Sequence, residues 1–436
     1  MPETPHELTQ NGIIKPIGQG DYLDRVIDSE LAEVFPHLGA VAIEGAKGVG
    51  KTTTAERLAR RVLRLDQGPD SDLLRADPGI LARPPFPILL DEWQRYRPSW
   101  DLVRRAVDAD PSGGRYLLTG SAAPRGLPVH SGAGWIESLR LRPLTLPERG
   151  LEAPTVSLRA LLEGGAGIGG ATSVGLPQYV HEIVASGLPG VRRLPPRSRR
   201  LRLGSYLRRA VSHELVEEGI LGRQPARMMN WLKAYAAATA TTASWNAIAR
   251  AASPGQADPV PRATAERYRD ALSQLFLLDE VPAWSPRQSF AALATAPKHF
   301  LADPAFAAHL LELDETRLVE PVSAGGDGAV LGLLFEALAA LSVVVFAQGA
   351  EAQVGHLRTA GGEHEVDFMV RRPGGAVVAV EAKLTAAPDA ADARHLEWLA
   401  ARMGAELTDR VILTTGPYAY RRGDGIAVVP LALFGP

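Results

Sequence analysis

The stretch GAVAIEGAKGVGKTTT, Gly39 to Thr54, decides how the rest of the chain is read. Its first half is a short apolar run, the pattern of a strand buried on both faces. Its second half, Gly45 to Thr52, matches the eight-residue phosphate-loop pattern in full. Each residue type has a reason to be there. Gly45, Gly48 and Gly50 allow the backbone to turn its N–H groups inward around phosphate oxygens. The helix expected to follow, beginning at Lys51, Thr52 and Thr53, adds its positive N-terminal end. Lys51 is placed to reach β- and γ-phosphates, and the Thr52 hydroxyl to ligate Mg²⁺. ATP and Mg²⁺ are therefore the expected ligands.

Such a loop needs an acidic partner at a neighbouring strand end. The run PILLDE supplies Asp91 for the magnesium shell and Glu92 as the base that polarises the attacking water. The next apolar run, RYLLTGS, ends in Thr119 and Ser121. Either would sense the γ-phosphate or orient water, and simple capping of a strand end explains them equally well. Arg125, Arg140 and Arg142 are the candidates for an arginine that stabilises the transferred phosphoryl group.

The chain has 436 residues, enough for roughly two to four domains. A hydrophobic content of 46% and a charged content of 22% are those of a globular protein. With no cysteine, disulfides and thiolate metal sites are excluded. The first residues are acidic and polar, unlike a secretory signal, so a cytoplasmic location is expected. Ala329 to Ala347 approaches membrane-spanning length, yet Glu336 and many alanines favour a buried helix followed by a strand, LSVVVFA. No membrane partner is expected. Arginine outnumbers lysine 41 to six. Where a surface charge suffices this chain uses arginine, so each lysine marks a place that wants a compact ammonium.

Residues 1–150 alternate apolar runs with helical patterns, the mark of a parallel α/β sheet. TTTAERLARRVLRLD reads as one amphipathic helix. Residues 151–222 read as a helical lid or linker. They contain eight arginines between Arg192 and Arg209, which suit either phosphate contact or a solvated helix face. Residues 223–322 read as three short helices followed by an extended VPAW, suggesting a winged helix-turn-helix in which Arg262, Arg267 and Arg269 face a nucleic-acid backbone. Residues 328–436 read as a separate α/β unit.

That last unit carries EVDFMVRRPGGAVVAVEAKLT. It has Asp367, then thirteen residues, then Glu381-Ala382-Lys383. Alternation along a strand puts Glu381 and Lys383 on one face, and a hairpin would bring Asp367 alongside. The spacing resembles that of PD-(D/E)XK nucleases. Asp367 and Glu381 would hold Mg²⁺, Lys383 would orient water, and Glu336, a carboxylate in an apolar helix, would complete the set. The bland alternative is a restriction-endonuclease-like fold whose acids serve structure or binding only.

The order of segments resembles a known group. The phosphate loop, LLDEWQR, LLTGSAAPR and LRLRPLTLPERG are followed by GLPQYV, SYLRRAV, APKHFLADPAF, GLLFEAL and EVDFMV…VEAK. This is similar to the AAA-type ATPases whose C-terminal part is called domain of unknown function 4143. The resemblance spans nearly the whole chain. It implies an α/β multidomain protein: a P-loop AAA-like parallel sheet, a winged-helix middle region and a restriction-endonuclease-like end domain. One departure is Trp135, which stands where the family usually has an arginine, so that either hydrolysis would be slow or Arg140 would substitute. Lys298 and Asp303 fall in a further family feature and read as a structural salt link. Two functional readings stay open. In one, ATP hydrolysis is coupled to a domain that binds nucleic acid, DNA rather than RNA, with Mg²⁺-dependent cleavage as an open option. In the other, the end domain of a nucleotide-controlled regulatory or defence switch binds nucleic acid or a protein and cuts nothing. AAA-type cores often form rings, so a homo-oligomer is an expectation.

Overall fold

The computed structural model describes residues 22–121, 134–214, 225–253, 260–284, 296–320 and 328–436. Arg125 lies outside them.

The phosphate-loop sheet is five-stranded and wholly parallel, in the order β2-β3-β4-β1-β5. Its strands are β1 (Ala40–Glu44), β2 (Arg61–Arg64), β3 (Ile88–Asp91), β4 (Tyr116–Gly120) and β5 (Ile136–Arg140). Alternation divides their side chains between two cores. Ala40, Ala42, Ile88, Leu90, Tyr116 and Leu118 pack with Trp93, Trp100 and Val103 on one face. Val41, Ile43, Leu89 and Leu117 face the other way, into a core continuous with the rest of the molecule. The strand with the acidic pair is not beside the phosphate-loop strand. β4 lies between them, which brings Asp91 level with Thr119 and Thr119 level with Ile43.

The expected long helix after the loop is broken in two. The helix stops at Glu56, and Arg61–Arg64 is the edge strand β2. Pairing with β3, a tertiary contact invisible to local periodicity, wins over helix propensity.

The segment 151–222 is not a helical unit by itself. Its strand β6 (Val156–Ser157) pairs with β13 (Phe434–Gly435) at the far end of the chain, and helix Leu158–Glu163 packs on strands of the C-terminal sheet. Helices Leu176–Ala185 and Pro196–Arg209 then pack with helix Pro304–Leu310. The middle region has helices Pro225–Ala237, Trp245–Ala251 and Arg262–Gln274, followed by antiparallel bridges Leu278–Leu301 and Val281–Lys298.

The C-terminal sheet is six-stranded, β11-β12-β10-β9-β8-β7. Its strands are β7 (Gln353–Arg358), β8 (Glu365–Arg371), β9 (Val377–Ala382), β10 (Leu407–Thr414), β11 (Tyr420–Arg421) and β12 (Ala427–Pro430). Helix Ala390–Met403 covers one face through Ala393, Leu396 and Leu399. Asp389 caps its N-terminus, accepting from Ala391 N at 2.7 Å and Asp392 N at 3.1 Å. The long helix Gly328–Gly349 packs against the sheet and against helices Val26–Val34, Leu176–Ala185 and Pro304–Leu310. The expected strand LSVVVFA is the second half of this helix. It is long and apolar enough to cross a membrane by composition, yet most of it is buried inside the molecule. A helix apolar on all sides, as a core helix is, leaves no amphipathic period to read.

Candidate nucleotide site and a lysine among carboxylates

The phosphate loop curls as its glycines require. Gly45 has φ +152°, and a Cβ there would meet the Leu141 carbonyl at 2.1 Å. No larger residue fits. Gly50, at φ +107°, sits just before the loop helix. Lys51 is buried, and its Nζ donates to the carbonyls of Gly45 at 2.8 Å and Ala46 at 3.0 Å. The ammonium is thereby held at the mouth of the loop.

Asp91 ties the loop to the sheet. Its Oδ1 accepts from Thr52 Oγ1 at 2.7 Å and from Thr119 Oγ1 at 2.5 Å. Thr52 and Asp91 thus present hard oxygen donors side by side, the kind Mg²⁺ takes. Glu92 has φ +52°, an uncommon backbone state for a non-glycine residue. Its carboxylate accepts from Ser121 Oγ at 3.1 Å and from Gln94 Nε2 at 2.5 Å. Ser121 therefore positions Glu92, while Thr119 positions Asp91. Gly48, Gly50, Lys51, Thr52, Thr53 and Glu92 all line one cavity of about 500 Å³.

Tyr22 and Arg25, which the sequence reading did not single out, also line this cavity, as does Arg193 of the arginine run. Tyr22 donates to Asp28 at 2.8 Å and lies 2.9 Å from Thr54 Oγ1; burial pushes its hydroxyl up to about 12. Arg25 is a clamp. Its guanidinium donates to the loop carbonyl of Val49 at 2.8 Å, to the Arg142 carbonyl at 2.6 Å and to Glu148 at 3.1 Å. Glu148 belongs to the LPERG run. Arg193 comes from the segment after the sheet.

The two arginine candidates among the described residues go elsewhere. Arg140 and Arg142 both pair with Asp279 of the middle region, at 3.1 and 2.7 Å, and neither lines the cavity. Trp135 donates to Asp108 at 2.6 Å and does not line it either. In the arginine run, Arg192 is bound to Glu182 at 3.0 Å and Arg199 to the carbonyls of Arg192 and Leu194. In the middle region Arg262 pairs with Glu266 at 2.8 Å and Arg269 with Asp270 at 3.0 Å.

Glu182 also receives Arg149 at 2.8 Å. Burial works against its ionisation, but Arg149 and Arg192 outweigh burial and hold its pKa at about 2. A carboxylate depressed in the fold contributes stability above its ordinary pKa and loses it as pH falls toward the folded value. Glu182→Gln should therefore lower unfolding free energy by about 3–5 kcal/mol at neutral pH, leaving buried Arg149 uncompensated. In urea titrations, the gap from the unsubstituted chain should narrow below the ordinary carboxylate range.

The C-terminal acids are brought together, but around a lysine. Lys298 Nζ lies 2.7 Å from Glu336, 2.9 Å from Glu365 and 2.7 Å from Asp367. It is 1% exposed. Asp367 also accepts from Ala382 N at 2.9 Å. Lys383 pairs with Glu381 at 2.8 Å. Burial opposes ionisation of Asp367, yet Lys298 and Lys383 hold its pKa below the usual range. Burial and the neighbouring Asp367 push Glu336 up to about 8. The expected set of Asp367, Glu381 and Glu336 around Mg²⁺ is not what forms. Among the described residues no group of three or more acidic or histidine side chains is arranged to hold a metal. A buried ammonium stands among the oxygens, so these residues do not fit the ion. Lys298 and Asp303 do not pair with each other. Asp303 instead accepts from Ser186 Oγ at 2.6 Å and Gly187 N at 2.8 Å, and caps helix Pro304–Leu310.

Three family models match the chain, and the second spans the boundary expected between residues 222 and 223. Residues 38–149 match the model of an AAA domain, 176–317 a domain of unknown function 8612, and 331–434 a domain of unknown function 4143. Among solved structures, the Walker-type ATPase of Pyrococcus abyssi is similar at 14% identity and TM-score 0.40, covering 67% of this chain and 97% of that one. The ORC2 protein of Aeropyrum pernix is similar at 15% identity and TM-score 0.27, covering 68% and 93%. No curated protein matches. The chain thus joins an N-terminal AAA domain, built on a P-loop sheet, to a C-terminal domain of unknown function 4143.

Proposed function

We propose that this chain is an ATP-hydrolysing, nucleotide-controlled switch whose C-terminal domain does not cut nucleic acid. The observation that carries the first half is the contact between Thr52 and Asp91 beside a Glu92 held by Ser121 and Gln94. Lys51 neutralises the β- and γ-phosphates. Thr52 and Asp91 would hold Mg²⁺, which when bound offsets charge on the phosphate oxygens. Glu92 accepts a proton from the water that attacks the γ-phosphorus, and ADP and phosphate leave. The mutual positioning of these groups supplies the rate, since phosphoryl transfer asks little covalent chemistry of the protein.

The second half rests on Lys298. A cleaving site needs carboxylates free to take a metal, and here three of them share one ammonium. The spacing of Asp367, Glu381 and Lys383 favours the competing reading of a metal-dependent nuclease, and one experiment separates them. The purified chain should release phosphate from ATP in Mg²⁺, falling on the order of 100-fold in Lys51→Ala. It should leave single- and double-stranded DNA uncut in Mg²⁺ or Mn²⁺. Cleavage that disappears in Asp367→Ala would restore the nuclease reading.

A further inference from the structure

We infer that the groove next to the nucleotide cavity is a binding site for single-stranded nucleic acid. The groove has a volume of about 800 Å³ and runs along helix Pro196–Arg209. Ser198, Arg202, Ser205 and Arg209 line it. Their spacings of four, three and four put them on one helical face. All four are exposed. Lys47, from the phosphate loop, lines the same groove, and among the described residues no aspartate or glutamate does. The chain as a whole carries a net charge of -2, so this basic channel does not reflect a generally basic protein.

The helix sorts its arginines by task. Arg192, just before it, and Arg199 point into ion pairs and carbonyls that hold the fold. Arg202 and Arg209 form no ion pair or hydrogen bond among the described residues. Exposed guanidinium groups without carboxylate partners suit phosphates, which they bind through two parallel N–H donors. Arg202 and Arg209 stand two helical turns apart, roughly 10 Å, so they meet different phosphates of one strand.

An apolar floor separates this groove from a plain anion site. Leu201 is 63% exposed and lines the groove with Leu194 and Tyr206. The Tyr206 ring is held by stacking on Phe306, with centroids 5.3 Å apart and planes at 21°. Arginines along the wall and a fixed aromatic with aliphatic neighbours on the floor are what an unpaired strand needs, backbone on charge and bases on apolar surface. Paired bases in a duplex would not reach that floor. Lys47 and Gly48 line both the groove and the nucleotide cavity, so a bound strand lies against the phosphate loop.

Binding here does not depend on ATP hydrolysis, and it is tested without nucleotide. Fluorescence anisotropy of labelled oligothymidine is measured against the full chain over a salt series. The unsubstituted chain should bind, with affinity falling as salt rises by about 0.7 logarithmic unit per phosphate contact. Arg202→Glu with Arg209→Glu should weaken binding at least about tenfold and flatten the salt slope by about 1.4. The alanine pair, which adds no charge, should move both readings the same way, and unchanged melting temperatures show that the fold survives. Arg262→Glu with Arg269→Glu, in the middle region, should have little effect. No binding at low salt overturns the site. So does equal binding by the Arg202/Arg209 variants, or a duplex bound as tightly as the single strand.

Discussion

Glu92→Gln should lower ATP turnover by about 10²- to 10⁴-fold, the range lost with a positioned general base, while ATP affinity changes only a few-fold. Gln is nearly isosteric and can still meet Ser121, so the loop and the Thr52–Asp91 contact stay as they are. What is lost is the lone pair that takes the proton from water. The expectation is specific because Glu92 is held from two sides by Ser121 and Gln94, and because Asp91 is engaged by Thr52 and Thr119. The two neighbouring carboxylates are thus assigned different tasks by their partners. Phosphate release at saturating Mg²⁺ and ATP, with nucleotide binding measured separately, reads the difference. Turnover within a few-fold of the unsubstituted chain would place the base elsewhere.

Lys298→Met should cost the fold about 3–5 kcal/mol, the loss that follows when one partner of a buried ion pair is removed. The methionine fills much of the same volume, so cavity formation is a minor part. Three carboxylates are left facing one another. They cannot all stay ionised in a buried site, and the least expensive response is to bind protons. Groups whose pKa is raised in the fold lose stability as pH rises through the raised value. The gap between variant and unsubstituted chain should therefore be larger at pH 8 than at pH 5, as read by thermal melting in two buffers. Adding Glu336→Gln to Lys298→Met removes one of the three charges and should recover part of the loss. A gap that ignores pH would mean Lys298 acts by packing alone.

How much of this was legible follows from which contacts are local. The phosphate loop was, because seven consecutive residues carry both its conformation and its chemistry from Ala46 to Thr52, with Gly45 fixing the turn. Asp91 and Glu92 were, because a strand end places an acidic pair without help from elsewhere. Arg25 was not, since its partners Val49, Arg142 and Glu148 come from separate segments. The acids Asp367, Glu381 and Glu336 were picked out, but as metal ligands. Their counter-charge sits 69 residues before Asp367, on a different element, and no spacing rule connects them. Lysine scarcity did mark Lys298 as a place needing a compact ammonium; it did not say what the ammonium faces. LSVVVFA misled because three consecutive valines in a largely apolar run fit a strand as well as a core helix.

The bridged segment of the middle region touches both the phosphate-loop sheet and the C-terminal sheet. Asp279 holds the two arginines at the end of β5, and two residues later Val281 pairs with Lys298, whose side chain occupies the carboxylates. The same extended segment runs on through Ala283 to β7, where Trp284 N donates to His356 O at 2.7 Å. Two charge clusters that look unrelated in sequence are therefore anchored on one short ladder of backbone. Their free energies will not sum. A double-mutant cycle across Asp279 and Lys298 should report an interaction energy although the side chains never touch, and substitutions at either end belong to one thermodynamic unit.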